Sequence, residues 1–327
     1  MSTRERRPLT TLEYLGRYSA LIAFTIVFLT FIVLTPKIIS PFNLLIILHQ
    51  VTVFAILGAG MTPVILTGRI DLSVGSVLAL SSSILGLALI DWGLSLPAAV
   101  LLAILTGLAV GLVNGTLIAK LKIPFFITTL GSMYAARGLA LILMGGVAKS
   151  LKEFHELSYL STGWIAFIPV PLILVVSLYL IVNFILSNTP LGRYIYAVGS
   201  NYEAAKLVGI DVDKYIIIAY TLSGLTAGIA GVYMSSRVLA ASPIIGVLYE
   251  LYAIAAVVLG GTSLFGGEGS VKGTLIGALT LTIISNGCHL LGISPYLEYV
   301  VVGLVIISMV AIDVHMRRLR GEYIEKA

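Results

Sequence analysis

The chain has 327 residues, of which 58% are hydrophobic and only 11% are charged, and its mean hydropathy is +1.07. Too little polar surface remains to cover a soluble domain of this length, so lipid must solvate most of the chain. The formal charge of +5 comes from Lys and Arg residues scattered singly between apolar runs, which argues against a basic face for nucleic acid. The composition therefore predicts an all-α integral membrane protein.

Apolar segments long enough to cross a bilayer recur along the chain. A hydrocarbon core about 30 Å thick requires about 20 residues per helix, because the backbone must satisfy its own hydrogen bonds there. The first segment follows a basic stretch but is too long for a signal peptide and lacks a clear cleavage site, so we expect an uncleaved span. About ten transmembrane helices are predicted, at residues 18–35, 44–66, 72–90, 94–118, 124–144, 163–186, 215–235, 246–262, 271–290 and 296–313.

The distribution of basic residues predicts the orientation of these helices. An even number of spans places the tails, residues 1–17 and 314–327, on one side of the transmembrane domain at 18–313. Most Lys and Arg residues lie in or beside these tails, the turns at 67–71, 119–123 and 263–271, and the loop at 187–214. Only Lys37, Lys149, Lys152 and Arg237 fall on the opposite side. The positive-inside rule then places both termini in the cytoplasm.

The 187–214 loop is the longest hydrophilic stretch between spans. Ser200 and Glu203 have the spacing of a capping box, and Gly209 stands where a left-handed residue ends a helix. A short cytoplasmic helix over 201–208 is therefore predicted. Such a helix is too short to be stable alone, so it must pack against something. It is either a surface helix on its own bundle or a docking element for a cytoplasmic partner.

Several stretches resemble a known family. Glu203-Ala204-Ala205 followed by Gly209 is similar to the EAA-type loop by which bacterial ABC importer permeases engage their ATPases. The stretches 61–76, 191–199 and 249–264 closely resemble ribose-type permeases, and the similarity extends from about residue 44 to 313. The family is the branched group of sugar permeases for ribose, xylose, galactose and related sugars, with the autoinducer-2 permeases close by.

Two residues depart from the pattern of that family. Arg69 stands where the family usually has a second glycine, and Tyr252 stands where a ribose permease has an acidic residue. These changes leave the exact sugar open but not the class of protein.

The resemblance implies an importer in a prokaryotic cell membrane. It would contain two permease subunits (this chain twice, or this chain and a paralogue), two cytoplasmic ATPases and an extracytoplasmic sugar-binding protein. The sequence has no Gly-Lys dipeptide, so the P-loop is absent and ATP and Mg are expected on the partner, with no cofactor or catalytic residue in this chain. The residues implied in coupling to the ATPase are Ser200, Asn201, Glu203, Ala204, Ala205, Lys206 and Gly209.

Polar residues within or between spans are candidates for the translocation pathway. Gly68 either ends the second helix, with Asp71 capping the third and Arg69 at the inner surface, or opens a broken helix whose polar ends line the pathway. Neutral side chains offer hydrogen bonds to sugar hydroxyls, but hydrogen bonding between helices explains them equally well. The candidate pathway residues are Gln50, Thr52, Asp71, Ser73, Asn114 and Asn286.

Arg137 is the one basic residue predicted within a span, where a guanidinium needs a partner or a cavity. Glu250 and Glu298 are its candidate acidic partners in an intramembrane charge network, and structural pairing and substrate contact both remain open. No metal site is predicted, because the four histidines lack ligand spacing and Cys288 is the only cysteine.

The alternative function is a secondary carrier of a small polar solute, driven by an ion gradient. Such a carrier is expected to have titratable residues at mid-membrane and no need for a docking loop. The 187–214 loop, together with the lack of a cluster of carboxylates within the spans, favours the ABC importer.

Overall fold

A computed structural model describes residues 11–294 and, beyond them, residues 296–297, 299–304, 307–308, 311 and 314. The described chain is almost entirely helical. Its helices are α1 (Thr11–Leu34), α2 (Pro41–Leu66), α3 (Val74–Ile90), α4 (Leu96–Ala119), α5 (Phe125–Met144), α6 (His155–Thr162), α7 (Val170–Asn188), α8 (Pro190–Ser200), α9 (Tyr202–Leu207), α10 (Val212–Val238), α11 (Tyr249–Leu259) and α12 (Val271–Leu290). A 3-10 turn, Pro36–Ile39, connects α1 to α2.

Two short antiparallel sheets complete the described elements. Strand β1 (Lys149–Ser150) pairs with β4 (Ala240–Ala241), with Lys149 opposite Ala241. Strand β2 (Trp164–Ile165) pairs with β3 (Ile168–Pro169) in a hairpin, with Ile165 opposite Ile168. The first sheet joins segments that are far apart in the sequence.

The helices confirm an all-α membrane protein. Six helices are long and apolar enough to cross a bilayer, namely α2, α4, α5, α7, α10 and α12, and three shorter apolar helices cover Ala20–Leu34, Val74–Ile90 and Tyr249–Leu259. The first nine predicted segments each overlap one of these helices. Most of the tenth, 296–313, and parts of both tails lie outside the described residues. The count of ten and the sides of the termini stay predictions.

Two predicted spans are wrong in extent. The segment at 246–262 contains only the 11-residue helix α11, which is about 16 Å long and too short to cross a core of about 30 Å. Its start is irregular because Gly246 and Leu248 have positive φ values of 74° and 65°. The segment at 163–186 becomes helical only at Val170, since the β2–β3 hairpin occupies its beginning.

Close contact between glycines holds α4 against the central helix α10. A Cβ atom added at Gly107 would lie 2.7 Å from the backbone nitrogen of Gly228, and one at Gly111 would lie 2.9 Å from Cα of Gly224. In lipid, where no hydrophobic effect drives helices together, such backbone contact supplies the packing energy. The glycines spaced four residues apart on α4 and on α10 therefore allow the two backbones to touch.

The bundle has two distinct ends, at the two termini of α10. At one end, α8 packs against the loop before α12, where the Tyr196 hydroxyl donates to Gly269 O at 2.8 Å, and α9 packs against α8 and α10. At the other, α6 and β4 pack against α10, and the β2–β3 hairpin follows α6. There the Ser236 hydroxyl donates to Leu157 O at 2.7 Å. We call these the α8–α9 end and the hairpin end.

Candidate functional site: a coupling surface and a buried polar network

The 187–214 region contains two short helices rather than one. Helix α8 begins with Pro190 after Thr189, whose hydroxyl accepts a hydrogen bond from Gly192 N at 3.4 Å. Proline suits the first helical turn because its missing N–H would be unpaired there. Helix α8 was not predicted, although its Thr-Pro start is a recognisable signal for a helix N-terminus.

The predicted helix at 201–208 is confirmed as α9, but its predicted cap is wrong. Asn201 is the N-cap, and its Oδ1 accepts from Ala204 N at 2.9 Å. Ser200 is instead the last residue of α8, and its hydroxyl donates to Tyr196 O at 2.9 Å. Because α8 continues through Ser200, that residue cannot also adopt the extended backbone of an N-cap. Gly209 follows α9 with φ of 84°, as predicted.

Helix α9 presents an apolar edge among charged residues. Leu207 and Val208 are 86% and 76% exposed, whereas Ala205 is buried against the bundle. Large apolar side chains exposed at the end of a soluble loop are typical of protein contact sites. We define the coupling surface by the exposed residues from the N-cap of α9 to the glycine that follows it, which are Asn201, Glu203, Ala204, Lys206, Leu207, Val208 and Gly209.

Behind this surface, α8 is fixed rigidly to the end of α2. Gly199 packs directly on Leu66, since a Cβ atom at Gly199 would overlap the Leu66 carbonyl oxygen. The same carbonyl accepts a hydrogen bond from Gly267 N at 2.9 Å. Ile195 and Val198 are buried on the inner face of α8. A displacement of α8 and α9 would therefore reach α2 directly.

A second connection ties the α4–α5 turn to the start of α10. Lys122 Nζ donates to Asp213 Oδ1 at 2.6 Å, and Lys120 Nζ lies 3.8 Å from Asp213 Oδ2. The hydrogen bond with Asp213 raises the pKa of Lys122. These side chains are largely exposed, so their contribution to stability is small, but they add positive charge to this end of the bundle.

Arg69 bridges the α2–α3 connection and α9. Its Nη1 donates to Thr67 O at 2.7 Å, and its Cζ lies 5.8 Å from the ring centre of Tyr202, within the range of a cation–π contact. Both residues line a cavity of about 330 Å³, together with Thr67, Gly68, Phe125, Val198, Gly199, Ser200, Asn201 and Phe265. This guanidinium thus links α9 directly to residues 67–73.

Residues 67–73 turn back into the bundle and end in a buried polar network. Gly68 terminates α2 with φ of 72°, as predicted. Asp71, which is 1% exposed, accepts from Ser73 N at 2.9 Å, from the Ser73 hydroxyl at 2.6 Å and from the Ser223 hydroxyl at 2.8 Å. The N-cap position of α3 belongs to Ser73, so Asp71 does not cap α3 as the first of the two alternatives had it.

The network extends to two further helices, α4 and α5, and includes a second residue of α10. Asn114 on α4 donates from Nδ2 to the Ser73 hydroxyl at 3.0 Å, and Ser132 on α5 donates to Asn114 Oδ1. Tyr220 on α10 donates its hydroxyl to Ile70 O at 3.0 Å, which satisfies a carbonyl of the irregular segment. Among the predicted pathway residues, the structure therefore brings together Asp71, Ser73 and Asn114.

The depth of this network favours the broken-helix interpretation of residues 67–73. Ser223, which donates to Asp71, lies in the middle third of α10, whose ends are Val212 and Val238. Irregular backbone at such depth is tolerated only where protein groups satisfy it. The prediction that residues 67–71 face the cytoplasm stays a prediction, and after this turn the chain runs inward until Asp71 reaches Ser223. The chain turns into the bundle there, and the Ser73 and Ser223 hydroxyls donate to Asp71 the hydrogen bonds that water would otherwise supply.

The other predicted pathway residues lie elsewhere and pair helices. Asn43 and Asn286 exchange hydrogen bonds of 2.8 Å and 3.1 Å between α2 and α12. Gln50 donates to the Ser285 hydroxyl at 3.1 Å between the same helices. The Thr52 hydroxyl donates to Leu48 O, one turn earlier in α2. Residue type and spacing alone could not separate these residues from the Asp71 network.

Arg137 binds carbonyl groups rather than a carboxylate. Its Nη1 donates to Pro243 O at 2.7 Å and to Ile245 O at 2.8 Å, and its Nη2 lies 3.4 Å from Gly75 O. The predicted ion pair with Glu250 is absent from the ion pairs among the described residues, and Glu298 lies outside those residues. The physical reason is the irregular backbone before α11, whose free carbonyls need donors.

Within the described part of the chain, no group of three or more His, Cys, Asp or Glu side chains is arranged to hold a metal ion. Ser132, Tyr202, Tyr220 and Ser223 were missed as members of the site. Each is an ordinary small polar or tyrosine residue within or beside an apolar helix, so only its position in space distinguishes it.

Comparison with known proteins gives a consistent result over most of the chain. Residues 43–310 match the family described as branched-chain amino acid transport system, permease component. A ribose import permease of Bacillus subtilis (strain 168) is 42% identical over 282 residues, covering 86% of this chain and 87% of that protein. A ribose import permease of Escherichia coli (strain K12) is 41% identical over 310 residues, covering 93% and 95%. A fructose import permease of Rhizobium meliloti is 38% identical over 297 residues, covering 88% and 82%. No solved structure matches the chain.

Proposed function

The chain belongs to this family of transport permeases, and we propose that it is the membrane-spanning subunit of an ABC importer that translocates a monosaccharide across the bacterial inner membrane. The observation that supports this function is the identity of 41–42% to ribose import permeases over most of both chains. The family description refers to branched-chain amino acids, but these relatives and the fructose permease import sugars. A ribose-like pentose or a related sugar is the substrate that fits best.

The ATP-hydrolysing partner is proposed to dock on the coupling surface. This surface combines the exposed apolar pair Leu207 and Val208 with a rigid support, since Gly199 on α8 packs directly on the end of α2. Rigidity matters because a movement of the ATPases reorients the bundle only through a structured contact. Both ATP and Mg would belong to that partner, and this chain would supply no catalytic group.

The proposed route of this movement runs from α9 to the middle of the bundle. Tyr202 contacts Arg69, and the turn after Gly68 leads within a few residues to Asp71. There the network with Ser223 and Asn114 connects the start of α3 to α10 and α4. Residues 67–73 are therefore the proposed hinge between the coupling surface and the sugar pathway.

The remaining partners are proposed at the hairpin end and beside the bundle. A sugar-binding protein would deliver substrate to the hairpin end, opposite the coupling surface, and a second permease, either this chain or a paralogue, would complete the pathway. Lipid would surround the outer faces of α4, α5 and α7. In each of these helices only 22–28% of the most apolar stretch is buried inside the bundle.

One observation favours the secondary carrier as a second candidate: the Asp71 carboxylate is buried at membrane depth, where carriers place titratable groups. Its three hydrogen bonds within the bundle favour a structural role instead.

The test is reconstitution in vesicles with an ABC ATPase and a sugar-binding protein from the same organism. We expect uptake of labelled pentose that requires ATP and stops when the P-loop lysine of the ATPase is replaced. Accumulation by the chain alone under a proton or sodium gradient would show the ABC function to be wrong. Thermal stabilisation of the binding protein by a panel of pentoses and hexoses then identifies the sugar.

A further inference from the structure

The β2–β3 hairpin exposes an unbroken run of apolar side chains. Trp164, Ile165, Phe167 and Ile168 are all exposed, and Phe167 is 94% exposed at the tip. The backbone is fully formed, because the strands pair with each other and Val170 N donates to Gly163 O at 2.9 Å. The Tyr159 hydroxyl of α6 also donates to Trp164 O at 3.0 Å. These apolar side chains are therefore presented by an ordered element.

The position of α7 fixes the depth of this hairpin. Helix α7 begins at Val170, directly after β3, and its 19 residues make it about 28 Å long. This length matches a hydrocarbon core of about 30 Å, so the two ends of α7 lie near the two membrane interfaces. The hairpin, attached to the first of these ends, is consequently held at the level of the lipid headgroups.

The distribution of charged residues indicates that lipid rather than water surrounds the hairpin. The sequence contains no Asp, Glu, Lys or Arg from Leu157 to Gly192, whereas Lys152, Glu153 and Glu156 precede α6 or begin it. The charged residues thus lie before α6 or in its first turn, and the chain from Leu157 through the hairpin and α7 is uncharged. Tryptophan beside aliphatic residues without nearby charge is typical of segments at the membrane interface.

The exposed side chains of the hairpin continue onto the outer face of α7. Leu172, Val176, Leu180 and Phe184, four residues apart, are all exposed on that helix. Residues at this spacing form one stripe along a helix, and on an apolar transmembrane helix such a stripe faces lipid. The apolar surface of the hairpin is therefore an extension of the surface by which α7 contacts the bilayer.

We infer that the β2–β3 hairpin is an interfacial anchor, with Trp164 and Phe167 inserted among the lipid headgroups beside the first turn of α7. The anchor holds α6 at a fixed depth. Because Ser236 at the end of α10 donates to Leu157 O in α6, the anchor also sets the position of the hairpin end of α10 relative to the membrane surface.

Tryptophan fluorescence tests the inference directly, since the protein has only two tryptophans. The Trp92→Phe variant leaves Trp164 as the only tryptophan of this chain, and subtracting the emission of a complex that carries Trp92→Phe with Trp164→Phe removes the contribution of the partner subunits. Reconstituted with its ATPase and second permease, the Trp92→Phe variant is mixed with lipids brominated near the headgroup end of their acyl chains, and separately exposed to iodide. We expect brominated lipid to remove most of the Trp164 emission and iodide to have little effect. A matched control carries its single tryptophan among the charged residues before α6 (Trp92→Phe, Trp164→Phe, Lys152→Trp) and should show the reverse pattern.

Strong quenching of Trp164 by iodide without quenching by brominated lipid would overturn the anchor. Protection from both quenchers in the complete complex would also overturn it, because the hairpin would then be a contact between subunits. An independent measurement uses a spin label at Phe167→Cys in a Cys288→Ser background. The anchor requires oxygen, which concentrates in lipid, to relax the label more strongly than a water-soluble nickel complex.

Discussion

Arg137 on α5 donates a hydrogen bond of 2.8 Å to the carbonyl oxygen of Ile245, in the irregular segment between β4 and α11. The same guanidinium nitrogen binds Pro243 O at 2.7 Å. One cation therefore satisfies two carbonyls that a continuous helix would have paired internally. The short length of α11 and the position of Arg137 within a span have a common explanation.

Replacing Arg137 with Ala should leave these carbonyls without donors. A hydrogen bond to a charged group contributes about 1.5–3 kcal/mol, and we expect a loss of stability of at least this size. Arg137→Lys should recover only part of it, because one ammonium group does not reproduce the geometry of the guanidinium. Thermal unfolding in detergent measures the effect, with Lys152→Ala as an exposed control. Equal unfolding temperatures for Arg137→Ala and the control would contradict the proposed role of the carbonyl contacts.

Changes on the coupling surface should separate folding from coupling. Leu207→Asp places a charge in the proposed apolar contact, and Gly209→Val forces a β-branched residue to a φ of 84°, which L-residues avoid. We expect both variants to insert normally but to lose sugar-stimulated ATP hydrolysis and copurification with the ATPase. Leu207→Ile, which keeps an apolar side chain at the same position, is the control. Normal stimulation in both variants would show that α9 is only a surface helix.

The Asp71 network should be sensitive to loss of a single oxygen. In Asp71→Asn an amide NH₂ replaces one acceptor oxygen: at the Oδ1 position it faces the Ser73 backbone N–H, donor against donor, and at the Oδ2 position it removes the acceptor of the Ser223 hydroxyl. An unsatisfied buried group costs about 1–3 kcal/mol, and we expect destabilisation in that range. Ser223→Ala should cost less, because the carboxylate keeps its two bonds from Ser73. A double-mutant cycle measured by thermal unfolding should show non-additivity; additive losses would indicate that the two residues do not interact.

The contact between α4 and α10 should tolerate no Cβ atom. Gly107→Ala would drive a methyl group into the backbone of Gly224 and Gly228. Overpacking of this kind costs about 1–3 kcal/mol. Gly131→Ala on α5 is the matched control, since nothing lies within 4 Å of its added Cβ. We expect Gly107→Ala to lower the unfolding temperature and Gly131→Ala to leave it unchanged or raise it, because alanine favours helix more than glycine does.

The sequence predicted most of the helices because hydropathy reports burial in lipid, and that signal is strong over about 20 residues. The prediction from hydropathy failed where backbone geometry decides whether an apolar segment is helical. The apolar run at 246–262 is as hydrophobic as a span, but Leu248 adopts a left-handed conformation that hydropathy does not encode. The α9 caps were nearly predicted, since Asn201 and Ser200 are both good caps and only the end of α8 selects between them. The Asp71 network depends on contacts among four helices, which one sequence does not specify.

The exchange of hydrogen bonds between Asn43 and Asn286 limits how the protein moves. Each amide is both donor and acceptor to the other, so a slide of α12 along α2 by one turn would break both bonds together. Further along the same pair of helices, the Thr62 and Thr274 hydroxyls lie 2.8 Å apart. With polar contacts near both ends of their interface, we expect α2 and α12 to move together during transport. The boundary between the moving parts is then expected elsewhere in the bundle, with bending of the backbone at the irregular segments 67–73 and 242–248.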